Sequence, residues 1–526
     1  MTSWLLTGFS SFLLYSAFPE ISFWPAAFVA LVPFLQALEG IESKRGFRIG
    51  FIWGLFFFSM LLWWLVPTIS TYGKIHFLLA IPVVLCLCCY LAIYPAIWAL
   101  LTVAVRRAGK EGLWFAVPVA SCWIVLEAVR SYAFSGFPWG LMAYSVASAP
   151  ILIQSADIWS VYGVGFLIVF LNVSLFEASR MFVRNHKGGF LPPGLKPLFA
   201  AQLLVLIFIF SYGIFSMHLS KQPSVWASAV QASIDQSRKW DPANTAFTVS
   251  RYKELTLKAR RVHPGLRIAV WPETSMPFYF QNDSTFRNEI LEFAKKAHLF
   301  LLIGSPSYSY GEDGSVRYLN SAYLIDPDGN IRGRYDKHHL VPFGEYMPWG
   351  PVTKWARRFL PTAGDFVAGK DLLPLKAEPF SIGTMICFES IFPEIAREEV
   401  RKGANLLAVI TNDAWFGKTA APWQHADMAI FRAVENRRWL VRAANTGVSR
   451  IISPTGRVLV NSRLFVPQFV SDPVALLKGQ SLFTRFGALW FVAINFLFII
   501  LSIHRLLIQK VQEKIGHRRS KDEQEQ

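Results

Sequence analysis

The chain has 526 residues, of which 53% are hydrophobic, 15% aromatic and only 17% charged, and its formal net charge is +17. Soluble proteins carry about 25% charged residues, so this composition excludes an entirely soluble enzyme and places much of the chain in lipid. The Lys and Arg residues lie in short segments beside apolar runs, as in the cytoplasmic loops of membrane proteins. This placement makes nucleic acid a poor candidate for the partner of the positive charge.

Apolar runs predict about eight transmembrane helices, since one span needs about 20 mainly apolar residues. The runs lie near residues 3–18, 22–39, 47–67, 76–105, 112–131, 157–179, 197–217 and 484–508. We therefore divide the chain into seven membrane helices within 1–218, an extramembrane domain at 219–480, an eighth helix at 481–510 and a basic tail at 511–526. A signal peptide is the alternative for the first run, although it has no basic n-region and no clear cleavage site.

Basic residues follow every second span, whereas the alternate connections are nearly uncharged, with Lys74 as the main exception. The basic groups are Lys44, Arg45 and Arg48; Arg106, Arg107 and Lys110; Arg180, Arg184, Lys187 and Lys196; and Arg505, Lys510, Lys514, Arg518, Arg519 and Lys521. By the positive-inside rule, this pattern predicts cytoplasmic termini and places residues 219–480 on the opposite side of the membrane. In a two-membrane bacterium, that side is the periplasm and the membrane is the inner membrane.

Residues 219–480 alternate β-rich runs with helix-like segments, which predicts one α/β domain with both sheet faces covered. The predicted strands are 225–233, 267–271, 300–310, 317–325, 380–386, 406–411 and 448–452, and the predicted helices are 243–262, 285–298, 391–402 and 421–440.

The sequence leaves two interpretations open for each of two loops. Residues 132–156 belong either to an aromatic belt at the membrane interface or to a loop that contacts substrate. Residues 342–359, with Lys354, Arg357 and Arg358, form either a solvated loop or, as we prefer, a mobile arm on the membrane surface.

Of the five cysteines, only Cys387 lies outside an apolar membrane run. A single cysteine is more often a buried structural residue than a reactive one, and the spacings match no zinc pattern. However, Glu273 and Lys337 also follow predicted strands, and sites in α/β sheets are built at strand ends. A carboxylate can take the proton of a thiol, and an ammonium can stabilise the oxyanion that forms. Taken singly, Glu273 also fits a helix cap and Lys337 a solvated surface charge.

Three motifs carry a family resemblance: W-P-E-T with Glu273, Y-D-K-H-H-L-V-P-F-G-E-Y-M-P with Lys337, and I-C-F-E-S with Cys387. They resemble the Glu-Lys-Cys triad of the nitrilase, or carbon–nitrogen hydrolase, superfamily. With the membrane spans, the chain is similar to the integral-membrane apolipoprotein N-acyltransferase family. The resemblance implies an αββα sandwich in a multi-pass membrane protein, with Glu273 as general base, Lys337 as oxyanion-stabilising electrophile and Cys387 as nucleophile.

The resemblance also implies a set of supporting or substrate-binding residues. These are Glu345, Glu389, Trp240, Trp415, Phe388 and Tyr346. Phe388 departs from relatives that carry Tyr, and its implied contribution is a backbone N–H; simple packing is the alternative for the two tryptophans. Asn445, in the segment Asn445-Thr446-Gly447, has two interpretations: a helix cap and turn, or a residue that lines the site. His338, His339 and His425 lack the companions of a metal site, so neither a metal nor a cofactor is expected.

The function that the resemblance implies is transfer of an acyl chain from a membrane phospholipid, phosphatidylethanolamine in the family, through a Cys387 thioester. The acceptor is the α-amine of the N-terminal S-diacylglyceryl cysteine of apolipoproteins. The expected partners are therefore the phospholipid, the apolipoprotein and the bilayer, and the expected state is a monomer. The alternatives are a membrane-tethered amidase or nitrilase, and a transporter or receptor with a binding domain. The scarcity of charge within the spans argues against transport.

Overall fold

The computed structural model of the protein describes residues 2–185, 194–218, 223–348 and 364–502. The helices of its N-terminal part are α1 (Thr2–Ser16), α2 (Leu31–Ala37), α3 (Ser43–Leu61), α4 (Leu65–Tyr72), α5 (Phe77–Arg107), α6 (Leu113–Tyr132), α7 (Ala156–Asn185) and α8 (Leu195–Met217). Four of them, α5 to α8, are long and apolar enough to cross a membrane, and the pair α3–α4, bent by 57°, makes a fifth candidate.

Two predicted spans differ from straight helices. The span predicted at 22–39 is a shorter apolar helix, Trp24–Ala37, which begins as the 3-10 turn Trp24–Phe28 and continues as the short α2. Pro33 lies in the first turn of α2, and its ring would clash with the carbonyl of Val29 if one regular helix ran through both segments. The span predicted at 47–67 breaks after Leu61, where Pro67 would clash with the carbonyl four residues earlier.

The C-terminal span is described only in part. Residues Leu489–Ser502 form a shorter apolar helix, and the rest of the predicted eighth span lies outside the described residues. The same holds for the basic tail 511–526 and for Lys354, Arg357 and Arg358 of the predicted arm. The count of eight spans therefore stays a prediction.

The part of the chain after α8 contains two six-stranded sheets. The strands are β1 (Val225–Gln231), β2 (Leu266–Val270), β3 (Phe300–Tyr310), β4 (Val316–Ile325), β5 (Ile331–Asp336), β6 (Leu375–Ala377), β7 (Phe380–Ile386), β8 (Leu406–Thr411), β9 (Leu440–Ala444), β10 (Arg450–Ile452), β11 (Val458–Asn461) and β12 (Gln468–Val474). The first sheet has the order β12-β1-β2-β3-β4-β5 and the second β11-β10-β9-β8-β7-β6. Each is parallel at its centre and antiparallel towards its edges.

Four helices cover the outer faces of the two sheets. They are α9 (Thr245–Val262), α10 (Thr285–Ala297), α11 (Pro393–Arg401) and α12 (Ala421–Asn436). Apolar residues of both sheets share one buried core, while α9 and α10 pack on the outer face of the first sheet. The predicted αββα sandwich is thus confirmed. Helices α11 and α12 cover the second sheet and share a continuous apolar cluster with the membrane helices.

One predicted helix of the domain is too long. The helix expected over 421–440 ends at Asn436, because Arg437 adopts a left-handed φ of 50° and caps it, a common way for a helix to stop. The following residues, Leu440–Ala444, form the buried strand β9, which the sequence did not predict. This strand lies at the centre of the second sheet, beside β8 and β10.

Candidate active site

The structure brings Glu273, Lys337 and Cys387 together where their strands end. Glu273 follows β2 and Lys337 follows β5 in the first sheet, while Cys387 follows β7 in the second. The Lys337 Nζ atom lies 3.9 Å from Glu273 Oε1 and 2.8 Å from Glu345 Oε2. Both Lys337 and Glu273 are buried, and their charges act on the Cys387 thiol. The three sequence motifs thus form one cluster between the sheets.

A sharp turn presents Cys387. The residue adopts a left-handed φ of 55° and starts a 3-10 turn, Cys387–Ile391. Such a conformation in a non-glycine residue costs about 1–3 kcal/mol and persists only where the surroundings impose it. Cys387 itself is partly exposed, whereas Glu389 and Ser390 of the same turn are fully buried. The turn therefore fixes Cys387 in place and leaves the residue partly exposed.

The electrostatics of the cluster favour a protonated thiol beside a charged lysine. Burial raises the pKa of the Cys387 thiol, the nearby Glu273 carboxylate raises it further, and Lys337 opposes them only in part. Burial alone would lower the pKa of Lys337, but Glu345 and Glu273 outweigh it and raise that pKa above its ordinary value. A reaction of this thiol as a nucleophile would therefore need a base to take its proton, and Lys337 stays an ammonium.

Glu273 is fixed through both carboxylate oxygens. Asn320 Nδ2 donates to Oε1 at 2.7 Å, and the backbone N–H of Asn412 donates to Oε2 at 2.9 Å. Asn320 also donates to Glu345 Oε1 at 3.1 Å, so one amide holds the two carboxylates that flank Lys337. The sequence did not indicate a role for Asn320, which lies inside β4. It also did not indicate one for Asn412, although a polar residue directly after the buried strand β8 is a weak sign of a site.

Glu389 connects the nucleophile turn with the segment that carries Lys337. Its buried carboxylate accepts the backbone N–H groups of His338 at 2.6 Å and His339 at 3.1 Å, and the Tyr335 hydroxyl at 2.9 Å. It also accepts the N–H of Ile386 at 2.6 Å. Burial raises the pKa of Glu389 to about 7, against the lowering effect of these backbone donors. This geometry makes Glu389 a positioning residue.

The three aromatic residues named with the triad differ in their surroundings. Trp240 is 54% exposed and Trp415 39% exposed, so neither is a buried packing residue. The backbone carbonyl of Trp415 accepts from Thr68 Oγ1 at 3.0 Å, which ties its loop to α4. Phe388 packs against Phe392 with ring centroids 5.2 Å apart.

The connection 132–156 contacts this region from the membrane side. The Tyr346 hydroxyl lies 3.0 Å from Ser135 Oγ. Trp139 is only 2% exposed, so it does not belong to an exposed aromatic belt. Its indole N–H donates to Gln424 Oε1 at 2.7 Å, and its ring stacks on His425 with centroids 5.8 Å apart. This part of the connection is therefore packed beneath the catalytic domain.

A buried polar chain that the sequence analysis missed lies behind Cys387. His425 Nε2 lies 3.1 Å from the Cys387 carbonyl oxygen and 2.9 Å from Ser390 Oγ. On its other side, His425 Nδ1 lies 3.1 Å from Asp413 Oδ1, and Arg442 donates to Asp413 Oδ2 at 3.0 Å. Although burial opposes it, Arg442 and His425 lower the pKa of Asp413 below its ordinary value. These contacts fix the backbone of Cys387.

Asn445 braces the loop that carries Trp240. Its side-chain amide donates to Ile234 O at 2.8 Å and to Asn412 Oδ1 at 3.1 Å, and its oxygen accepts from Ile234 N at 2.9 Å. Asn412 Nδ2 in turn donates to Gln236 Oε1 at 2.6 Å. Asn445 is fully buried, so it supports the site from behind.

The fold and this cluster define a nitrilase-like protein: residues 226–466 match the carbon–nitrogen hydrolase family model. A structure of Saccharomyces cerevisiae Nit3, a member of branch 10 of the nitrilase superfamily, aligns with 48% of this chain and 91% of its own, at 17% identity and a TM-score of 0.38.

Residues 10–174 match the apolipoprotein N-acyltransferase N-terminal domain. The apolipoprotein N-acyltransferase of Geobacter metallireducens is 38% identical over 92% of this chain and 91% of its own length. That of Nitrosomonas europaea is 30% identical over 95% of each chain. The chain belongs to the apolipoprotein N-acyltransferase family and is an acyltransferase.

Proposed function

We propose that the protein transfers an acyl chain from a membrane phospholipid, with phosphatidylethanolamine as donor, to the α-amine of an N-terminal S-diacylglyceryl cysteine. The reaction runs through a thioester on Cys387. The observation that carries the proposal is the accessible Cys387 beside the buried cluster of Glu273, Lys337 and Glu345. The family to which the chain belongs supports the lipoprotein acceptor.

In the first half-reaction, the Cys387 thiol gives its proton to the Glu273 carboxylate while its sulfur attacks the ester carbonyl of the phospholipid. The negative charge that develops on the carbonyl oxygen faces the Lys337 ammonium, which stabilises it. The intermediate then collapses: a C–S bond has formed, the ester C–O bond breaks, and Glu273 returns the proton to the leaving glycerol oxygen. A lysophospholipid departs, and the acyl chain stays on Cys387.

In the second half-reaction, the neutral α-amine of the acceptor attacks the thioester carbonyl. Glu273 takes a proton from the amine, and Lys337 again faces the oxyanion. Collapse forms the amide bond and breaks the C–S bond, and the proton passes from Glu273 to the departing sulfur. The thiol of Cys387 is restored, so the two half-reactions form a ping-pong cycle.

We further propose eight membrane spans, cytoplasmic termini and a periplasmic domain at 219–480, in a bacterial inner membrane. The described helices support this orientation. Arg106 and Arg180 pair with Glu177 at the end of α5 and α7 that carries the predicted cytoplasmic charge. At the opposite end, Ser135 and Thr68 contact residues of the nitrilase-like domain. A site at this level would meet two lipid-anchored substrates at the bilayer surface.

The test uses the purified full chain in phosphatidylethanolamine vesicles with a diacylglyceryl-lipopeptide acceptor. We expect lysophospholipid and N-acylated lipopeptide in equal amounts and, without acceptor, a single burst of about one lysophospholipid per protein. Continuous lysophospholipid release without acceptor would instead indicate a lipase. Turnover of a soluble amide without any lipid turnover would favour the tethered amidase.

A further inference from the structure

A second buried lysine lies at the site, and neither the motifs nor the mechanism above uses it. Lys239 precedes the exposed Trp240 in the loop between β1 and α9 and is only 3% exposed. Its Nζ atom donates to the backbone carbonyl oxygen of Glu273 at 3.1 Å. Among the described residues, no carboxylate oxygen forms an ion pair with it within 4.0 Å. A buried ammonium with so little local compensation calls for a longer-range electrostatic partner.

The charge balance of the site supplies that partner. Glu273 and Glu345 carry two negative charges against the single positive charge of Lys337, which leaves the buried cluster at −1. Proton transfer from Cys387 to Glu273 moves a negative charge onto sulfur without changing this total. A second ammonium offsets this excess, to which Glu389 adds as it ionises near pH 7, and an uncompensated buried charge is costly.

The loop that carries Lys239 is tied to Asn412, a residue that also binds Glu273. The backbone N–H of Asn412 donates to the Glu273 carboxylate. The side-chain amide of Asn412 donates to Gln236, which lies three residues before Lys239. Burial lowers the pKa of Lys239 to about 8, while Glu273 and Cys387 act to raise it. The group is therefore predominantly an ammonium at pH 7, and both reacting side chains experience its field.

We propose that Lys239 is a second cation of the active site, which stabilises the negative charge on the Cys387 sulfur and holds the Glu273 backbone in place. Lys337 faces the two carboxylates, and Lys239 approaches Glu273 from its main-chain side. The role in acyl transfer rests on the proposed function, whereas the effect on the thiol does not.

The test compares Lys239→Met, which keeps the side-chain bulk and removes the charge, with the wild-type chain in detergent. The alkylation rate of Cys387 by iodoacetamide is followed from pH 6 to 10 by mass spectrometry. We expect alkylation at pH 7 to slow about tenfold, equivalent to a thiol pKa raised by about one unit. Since Lys239 itself loses its proton near pH 8, the difference between the two proteins should shrink above that pH.

Two variants complete the test. Lys258→Met removes an exposed lysine of α9 and should leave the alkylation profile unchanged. If Lys239→Met does not fold, Lys239→Gln takes its place. An unchanged profile in a folded, uncharged Lys239 variant would overturn the proposal, even if acyl transfer fell. If the wild-type chain formed no acyl adduct, the proposed function would fail, and the alkylation comparison would still decide the role of Lys239.

Discussion

The two sheets contribute differently to the site. The first sheet supplies an acid–base half, made of Glu273, Asn320, Lys337 and Glu345, whose outer helices α9 and α10 have their own apolar cluster. The second supplies a nucleophile half, made of Cys387, Ser390, Asp413, His425 and Arg442, whose outer helices pack against the membrane helices. The half that contains Cys387 therefore shares its apolar packing with the membrane region, whereas the half that contains Lys337 meets that region through the contact of Tyr346 with Ser135.

Several contacts make this attachment specific. Gln424 beside His425 donates to the backbone carbonyl of Pro19 at 3.2 Å and accepts from Trp139. Glu435 at the end of α12 accepts the N–H of Val161 at 3.1 Å, where α7 is kinked. The backbone of Cys387 is thus positioned relative to the apolar helices, while Glu389 positions the segment that carries Lys337 relative to Cys387. Each prediction below disturbs one side of this arrangement.

The largest effect is expected from the acid–base half. Lys337→Met removes the ammonium between two buried carboxylates, and we expect acyl-enzyme formation to fall about 10³-fold, because a lost oxyanion donor costs about that much. Single-turnover release of lysophospholipid measures it. Lys370→Met removes an exposed lysine and should retain the wild-type rate. A thioester trapped at a normal rate on the Lys337 variant would rule out its role.

The link between the halves comes next. Glu389→Gln keeps the shape of the side chain but weakens its bonds to the N–H groups of His338 and Ile386. We expect acyl-enzyme formation to fall about 10²-fold, equivalent to about 3 kcal/mol for hydrogen bonds to a charged group. Alkylation of Cys387 should change much less, since the sulfur stays on its own half. Equal losses in both assays would contradict a positioning role.

Disturbing the membrane side of the nucleophile half should have a smaller effect. Trp139→Leu removes the stack on His425 and the bond to Gln424, and we expect acyl-enzyme formation to fall about tenfold, as for the loss of an aromatic pair. Trp4→Leu, at an exposed position of α1, is the matched control. Unchanged activity in the Trp139 variant would show that the nucleophile does not depend on the membrane region.

The smallest effect on activity, together with a gain in stability, is expected at α11. Both carboxylate oxygens of Glu399 lack a hydrogen-bond partner among the described residues, and burial raises its pKa to about 9. Between about pH 4.5 and 9, the unfolded chain ionises this group while the folded chain keeps it protonated, so stability falls as pH rises.

Glu399→Gln removes this dependence. Its free energy of unfolding should exceed that of the wild-type chain by a margin that widens from pH 5 to pH 9, at about 1.4 kcal/mol per pH unit at most, and thermal unfolding at several pH values measures this margin. Glu398→Gln, the neighbour that pairs with Arg401, should show no such widening. A margin that is constant with pH would contradict the protonated state of Glu399.

The sequence predicts the parts of the site that lie in short contiguous motifs. Glu273 and Cys387 each follow an apolar strand, and Lys337 follows the mixed strand β5. Glu345 and Glu389 lie within a few residues of Lys337 and Cys387, and the family resemblance of these motifs named them. The missed residues act through long-range contacts: Trp139 meets Gln424, and Lys239 meets the backbone of Glu273. Strand β9 was hidden because its apolar residues continue the helical pattern of α12, and only the left-handed Arg437 separates the two.

The most direct test of the central claim is peptide mapping of the full chain after brief incubation with phosphatidylethanolamine vesicles without acceptor. The account predicts the added mass of one acyl chain on the peptide that contains Cys387, its removal by neutral hydroxylamine, and its loss when acceptor lipopeptide is added. Cys387→Ala should carry no such mass. An acyl chain on another residue, or N-acylation of the lipopeptide by the Cys387→Ala variant, would contradict the account.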